Sequence, residues 1–184
     1  MSKQLIVVES PTKVRTIQKY LGNKFTVAAT VGHIKDLPEK ELGIQIEEGF
    51  KPIYETIRGK EKIIRHLKKV AQSVDTIYLA PDPDREGEAI AWHTAEVLKK
   101  KGRTFHRVLF HELTEKAIRA AMSAPESLNR QRFESQQARR LLDRLVGYQI
   151  SPILWRKIRR GLSAGRVQSV ASITGIAGTW YSCR

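Results

Sequence analysis

Residues 76–88 read TIYLAPDPDREGE, and the order of elements in this segment indicates the fold class of the chain. Its first part, Thr76–Ala80, is an apolar, β-branched run that is typical of a buried strand. From about Glu86 to Lys100 the composition is that of a helix, which Gly102 closes. A strand that passes through a short acidic turn into a helix is the repeating unit of a parallel α/β sheet.

The same order of elements occurs before and after this stretch. Gln4–Val8 is a second apolar run, and Ser10 followed by Pro11 has the pattern of a helix N-cap and first helical residue. Residues 32–57 combine glycine, proline and charged clusters without a clean period, so we expect mostly loop. The remaining predicted elements are strands at 25–31 and 107–110 and helices at 61–74 and 114–122. The fold class is therefore α/β, a parallel sheet with helices on both faces.

Beyond Pro125 the pattern is helical only. We predict one long helix at Arg130–Tyr148 and shorter pieces at Pro152–Ile158 and Gly165–Ile173. The chain thus has an α/β part followed by an Arg-rich helical part.

The charge of the chain points to a polyanionic partner. The 184 residues have a formal net charge of +14, and residues 125–184 carry 11 basic side chains, ten of them arginine, against 3 acidic ones. Clustered arginines favour bidentate phosphate contacts, so nucleic acid is the preferred partner, although a basic surface also serves solubility alone. The single cysteine, Cys183, excludes an internal disulfide and a Cys-rich zinc site. No run is long and apolar enough for a membrane span or a signal peptide, so we expect a cytoplasmic protein.

The acidic turn is a candidate metal site. Asp82 and Asp84 alternate on an extended stretch and can reach one hard cation, and Glu86 follows at the start of the helix. Carboxylate oxygens at the carboxyl end of a parallel strand are suited to Mg²⁺. The alternative is a solvated turn in which Glu86 and Glu88 complement the helix dipole.

A second candidate follows the first strand. Glu9 would lie beside the acidic turn if the two strands are neighbours, and Lys13 lies in the first turn of the next helix, where it can meet a phosphate. On its own, a glutamate at a strand end is ordinary polar surface.

Together these motifs resemble a known family. A glutamate after the first strand and D-x-D-x-E after a later one are similar to the Toprim domain, a compact Rossmann-like unit of topoisomerases, primases and some nucleases. The amino-acid sequence of these motifs and of others along the chain resembles that of bacterial type IA DNA topoisomerases over residues 3–171. The motifs that carry this resemblance are VESPTKVRTIQKYLG at Val8–Gly22, VGHIKDLP at Val31–Pro38, DPDREGEAIAWH at Asp82–His93, QQARRLLDRLVGYQISPILW at Gln136–Trp155 and GLSAGRVQSVA at Gly161–Ala171. The resemblance implies a Toprim metal-binding domain at 1–124, the start of a helical DNA-groove domain at 125–171 and a non-matching tail at 172–184.

The resemblance also assigns roles to residues. It implies a catalytic Glu9 that acts in proton transfer near the scissile phosphate, with Lys13 and Arg85 as phosphate contacts. It implies a Mg²⁺ site of Asp82, Asp84 and Glu86 with Glu9, and it gives His33 a supporting role only. The residues that match the family's single-stranded DNA groove are Arg139, Arg140, Asp143, Arg144, Tyr148, Arg166 and Gln168. The spacing of Arg140, Arg144 and Tyr148 separately predicts one stripe along a helix face.

The family relaxes negatively supercoiled DNA by Mg²⁺-dependent single-strand breakage, passage and rejoining through a tyrosine. None of the five tyrosines of this chain lies in a matching context, so we expect it to bind Mg²⁺ and single-stranded DNA, as a monomer near the nucleoid, without relaxing DNA. The remaining topoisomerase domains would be missing. The alternative is a stand-alone single-stranded DNA-binding module or a Toprim nuclease.

Overall fold

A computed structural model describes residues 4–165. The strands within this range are β1 (Gln4–Val8), β2 (Phe25–Ala29), β3 (Lys35–Asp36), β4 (Ile44–Gln45), β5 (Lys51–Pro52), β6 (Glu55–Thr56), β7 (Thr76–Leu79) and β8 (Thr104–Arg107). The helices are α1 (Pro11–Leu21), α2 (Glu61–Ala71), α3 (Arg85–Val97), α4 (Glu115–Ser123) and α5 (Arg130–Lys157), with short 3₁₀ turns at Gly22–Lys24 and Ile46–Glu48.

The central sheet has four strands in the order β2-β1-β7-β8, and all three pairs are parallel. β1 pairs with β2 through Gln4–Phe25 to Val8–Ala29 and with β7 through Leu5–Ile77 to Val7–Leu79. The prediction of a parallel sheet flanked by helices is therefore confirmed.

The core lies on both faces of this sheet because the side chains of β1 alternate between them. Leu5 and Val7 pack with residues of α2 and α3, including Leu67 and Ala91. On the opposite face Ile6 and Val8 pack with residues of α1 and α4, namely Ile17 and Ile118. Since both faces are covered, β1 has the continuous apolar run that a buried parallel strand requires.

The start of α1 agrees with the sequence pattern. Ser10 is the N-cap, its hydroxyl accepts a hydrogen bond from the backbone N–H of Lys13 at 3.4 Å, and Pro11 is the first helical residue. The cap satisfies one of the free N–H groups of the first turn.

Three stretches differ from the sequence-based expectation. Residues 32–57, expected to be loop, contain the two-residue ladders β3–β6 and β4–β5. The last strand is Thr104–Arg107 rather than 107–110, because an edge strand accepts polar residues such as the exposed Thr104. α5 continues through Pro152, where two helices were predicted, because a proline removes one backbone hydrogen bond without having to end the helix. Of the helix predicted at 165–173, residues 166–173 lie outside the described residues.

The described residues form two compact units. The first comprises residues 4–36 and 54–136, and the second comprises residues 37–53 and 137–165. In the described part, no helix is both apolar and long enough to cross a bilayer.

Candidate functional site

The candidate site lies at the carboxyl edge of the sheet, in the first unit. β1 continues to β2 on one side, and its neighbour β7 continues to β8 on the other, so the connections that leave β1 and β7 run in opposite directions along the sheet. Glu9 follows β1 directly, and Asp82 is the third residue after β7. Such a switch in strand order opens a crevice at the carboxyl ends of the strands, which is where α/β sheets place their ligands.

The ammonium of Lys13 joins these two carboxylates. Its Nζ contacts Oε1 of Glu9 and lies 2.5 Å from Oδ1 of Asp82. Burial lowers the pKa of Lys13, but the hydrogen bonds to Asp82 and Glu9 outweigh that effect and raise the pKa above its ordinary value. Lys13 therefore stays a cation, and the sequence-predicted pair of Glu9 and the acidic turn is brought together around it.

One carboxylate oxygen of Glu9 is unpaired. Its Oε2 is buried and has no hydrogen-bond partner among residues 4–165. An unpaired buried carboxylate oxygen is costly, so this atom is suited to accept a proton or bind a cation.

Asp84 has a structural task at the start of α3. It is the N-cap, and its Oδ1 accepts a hydrogen bond from the N–H of Gly87 at 2.7 Å. Its second oxygen remains available on an exposed side chain.

Gly87 permits the tight turn that presents these carboxylates. A Cβ at this position would lie 2.0 Å from the carbonyl oxygen of Asp82. Only glycine allows the acidic turn to fold back so closely on the first turn of α3.

Glu86 is half-exposed and points to two neutral or weakly basic groups. Its Oε2 lies 3.3 Å from Nε2 of His33 and accepts a hydrogen bond from Nε2 of Gln136 at 3.1 Å. His33, to which the resemblance gives a supporting role, thus lies beside the acidic motif, and Gln136 is a second partner of Glu86 that the sequence analysis did not predict.

The donor set fits a hard cation such as Mg²⁺. Glu9 and Asp82 already share one cation, the Lys13 ammonium, and Oε2 of Glu9 is unpaired. Within the described residues, no three side chains of the His, Cys, Asp and Glu types yet converge on one point. Asp82, Asp84 and Glu86 each have a different protein partner, so a bound ion would require these side chains to turn.

Arg107 holds the acidic turn in place, and sequence reasoning missed it. It is 1% exposed, its Nε donates to Oε2 of Glu88 at 2.9 Å, and its Nη1 donates to the carbonyl oxygens of Leu79 and Pro81. Its Nη2 donates to the carbonyl oxygen of Asp82 at 2.6 Å. A charged residue at the carboxyl end of the edge strand was the only signal in the sequence for this role.

Glu88 completes this buried pair. It is also 1% exposed, and its Oε1 accepts a hydrogen bond from the N–H of Asn129 at 2.7 Å. The sequence suggested that Glu88 complements the helix dipole; in the structure its main partner is Arg107.

The turn after β2 borders the site on its other side. The N–H of Gly32 donates to the carbonyl oxygen of Glu9 at 3.0 Å. Val31 has a φ of 55°, a left-handed conformation that strains a β-branched residue, and Lys60 Nζ contacts its carbonyl oxygen. Strain of this kind persists where surrounding contacts fix it, and it is common next to functional sites.

His93 is a buried histidine of the first unit that received no role from the sequence. It is 3% exposed, Tyr54 and Phe133 flank its ring, and neither ring nitrogen has a hydrogen-bond partner in the described part of the chain. Burial lowers the pKa of His93 to about 4, against the opposing effect of Glu96. His93 is therefore neutral at physiological pH.

The candidate DNA-binding residues of α5 lie in the second unit. Arg139 and Asp143 lie 3.9 Å apart, consistent with an aspartate that orients an arginine. Arg144 donates to the carbonyl oxygens of Pro38 at 2.6 Å and of Glu41 at 3.2 Å.

Tyr148 contacts the same loop as Arg144. Its hydroxyl donates to the carbonyl oxygen of Glu39 at 3.2 Å, and the Arg144 guanidinium lies 5.4 Å from the centre of its ring. These two members of the predicted stripe are thus engaged with residues 37–41.

The other predicted residues are placed as follows. Arg85 is exposed at the first position of α3, beside the acidic turn, and Arg140 lies on α5 between Arg139 and Arg144. Arg166 and Gln168 lie outside the described residues.

Comparison with known proteins gives the family. Residues 4–113 match the Toprim domain and residues 127–173 match a DNA topoisomerase family. The structure is similar to full-length topoisomerase I from Thermotoga maritima, with a TM-score of 0.82 and 48% identity over 90% of this chain. The chain spans 28% of the length of that protein. The chain belongs to the Toprim family, as the Toprim-containing region of a type IA DNA topoisomerase.

Proposed function

We propose that this chain is the metal- and DNA-binding part of an enzyme that relaxes negatively supercoiled DNA by Mg²⁺-dependent single-strand breakage, passage and rejoining. The observation that carries the proposal is the cluster of Glu9, Lys13 and Asp82 at the switch point of a Toprim sheet. We expect the chain to act as a monomer in the cytoplasm, in association with the nucleoid.

In this proposal Glu9 handles a proton at the scissile phosphate. Its buried, unpaired Oε2 supports that role because it is free to accept a hydrogen bond from a hydroxyl group. Lys13 and the exposed Arg85 contact the phosphate, where positive charge stabilises the developing negative charge.

Asp82, Asp84 and Glu86, together with Glu9, would hold Mg²⁺. The bound ion would offset the mutual repulsion between these carboxylates and a DNA phosphate. Gln136 and His33 would orient Glu86 through its Oε2.

For the second unit we propose a groove for single-stranded DNA along α5. Arg139 and Arg140 supply phosphate contacts, as do Arg166 and Gln168 further along the chain. Arg144 and Tyr148 contribute indirectly, because their hydrogen bonds order residues 37–41 next to the helix. The exposed ring of Tyr148 is able to stack on a base at the same time.

The domains that we propose are residues 1–124 for metal binding and residues 125–171 for the DNA groove, with 172–184 as a separate tail. We expect the chain by itself to bind DNA without relaxing it, because the family's nucleophilic tyrosine would belong to a further domain.

The test is incubation of the chain with supercoiled and with single-stranded DNA in the presence of Mg²⁺. Binding without nicking supports the proposal. Nicking that is lost in Glu9→Ala and Asp82→Ala, but kept in the exposed control Glu47→Ala, would instead identify a Toprim nuclease. Failure to bind either DNA would overturn the proposed groove.

A further inference from the structure

Lys13 is the fixed cation of the acidic site. Its ammonium contacts Glu9, four residues earlier, and Asp82, sixty-nine residues later in the sequence, and its side chain is only 17% exposed. The second contact joins the start of α1 to the turn after β7. Lys13 is thus held between two connections of the sheet and not merely along one helix.

The other carboxylates of the site have neutral or weakly basic partners. Asp84 accepts from a backbone N–H, and Glu86 accepts from the Gln136 amide and lies beside His33, which is charged only when protonated. Among the described residues that contact Glu9, Asp82, Asp84 and Glu86, Lys13 brings a permanent positive charge. Lys13 therefore neutralises a site that would otherwise be strongly repulsive.

We propose that Lys13 is an internal competitor of Mg²⁺: it occupies the Glu9 and Asp82 oxygens in the metal-free protein and leaves Asp82 when the ion binds. This inference rests on the proposed metal site. The ammonium and a divalent cation would seek the same oxygens, and two cations a few ångströms apart repel each other. Each cation therefore weakens the hold of the other on Asp82.

The release of Lys13 has a consequence for DNA. Once its ammonium leaves Asp82, Lys13 still belongs to the first turn of α1, and the N-terminus of this helix favours anions. It can then contact a phosphate that the unoccupied acidic site would repel. Exchange of Lys13 between a carboxylate and a phosphate would make DNA engagement dependent on the metal.

The first experiment measures Mg²⁺ binding to the metal-free full chain by isothermal titration calorimetry. We compare wild type, Lys13→Met, which keeps the length of the side chain without its charge, and Lys13→Arg, which keeps the charge. Lys19→Met is the matched control, because it removes one positive charge from an exposed position on the same helix. Lys13→Met should bind Mg²⁺ about tenfold more tightly than wild type, and the other two variants should remain within about twofold of it.

The second experiment needs no substitution, and it stands even if Lys13→Met unfolds. The side-chain ammonium of Lys13 should give a protected signal in ¹H–¹⁵N spectra of the wild-type chain at low temperature, because two carboxylates hold it. Addition of MgCl₂ should shift this signal and accelerate its proton exchange, while the signals of exposed lysines stay unchanged.

The outcomes separate this inference from the metal site itself. Tighter binding by Lys13→Met supports the competition, including the case in which wild type shows no measurable binding. Equal or weaker binding by Lys13→Met, with an unmoved Lys13 signal, overturns the competition while wild-type binding preserves the metal site. Absence of Mg²⁺ binding in every variant overturns both.

Discussion

Gly87 shows how one missing side chain shapes the site. A Cβ there would lie 2.0 Å from the Asp82 carbonyl oxygen, and that oxygen accepts a hydrogen bond from Arg107, so the backbone cannot move away without breaking this partly buried hydrogen bond. We expect Gly87→Ala to lower the free energy of unfolding by about 2–4 kcal/mol, measured by urea unfolding.

The matched control is Gly147→Ala in α5. A Cβ at Gly147 would meet only one atom, at an ordinary van der Waals distance of 3.9 Å, so this variant should be neutral or more stable by about 0.5–1 kcal/mol. A Gly87→Ala protein as stable as wild type would show that the turn can move.

His93 makes stability depend on pH. Its pKa is about 4 in the folded chain and 6.5 when exposed, so between these values the unfolded chain binds more protons. The stabilisation is complete above pH 6.5 and is lost as the pH falls towards 4. The loss from this residue amounts to at most about 3 kcal/mol.

Thermal unfolding between pH 7 and pH 4 tests this prediction. His93→Phe, which keeps a ring against Tyr54 and Phe133, should show a smaller decrease in unfolding temperature than wild type. The exposed His66→Gln on α2 should follow wild type. Equal decreases in all three proteins would mean that carboxylates alone produce the acid instability.

At the scale of elements, the buried pair of Arg107 and Glu88 joins β8 to α3. Both side chains are 1% exposed, and loss of one partner leaves an uncompensated charge in the interior. We expect Arg107→Met to destabilise the chain by about 3–5 kcal/mol in urea unfolding. The double variant Arg107→Met, Glu88→Leu should be less destabilised than the sum of the single ones.

The exposed pair of Arg130 and Glu134 is the matched control for that prediction. It has the same chemistry and a 2.7 Å separation, but both side chains face solvent. Arg130→Met should therefore cost no more than about 0.5 kcal/mol. Additive effects of Arg107→Met and Glu88→Leu would contradict the coupling between β8 and α3.

At the scale of the whole molecule, the net charge of +14 predicts DNA binding that weakens steeply with salt. Removal of one phosphate contact should reduce the slope of log K against log salt by about 0.7 for a single strand. We expect Arg140→Ala to show this reduction in fluorescence-anisotropy titrations of an oligonucleotide, while Mg²⁺ affinity stays as in wild type.

The same assay separates the two contributions of Tyr148 to DNA binding, those of its hydroxyl group and of its ring. Tyr148→Phe removes the hydrogen bond to Glu39 but keeps the ring, whereas Tyr148→Ala removes both. If the ring stacks on a base, Tyr148→Ala should bind single-stranded DNA more weakly than Tyr148→Phe by about 1–3 kcal/mol. Equal affinity of the two variants would assign Tyr148 to loop ordering alone.

The α/β fold, the N-cap at Ser10 and the family could be predicted from the sequence, because these follow from local periodicity, capping chemistry and motifs that can be read along the chain. Positions 107–110 and Pro152 were misjudged, since strand pairing and helix continuation depend on neighbours distant in sequence. The position of Lys13 between Glu9 and Asp82, the hydrogen bonds of Arg107 to the acidic turn and the need for glycine at position 87 became visible in the folded chain alone. Each of these depends on residues from separate strands and helices that meet at one edge of the sheet. The distance between two such residues cannot be predicted from their spacing along the chain.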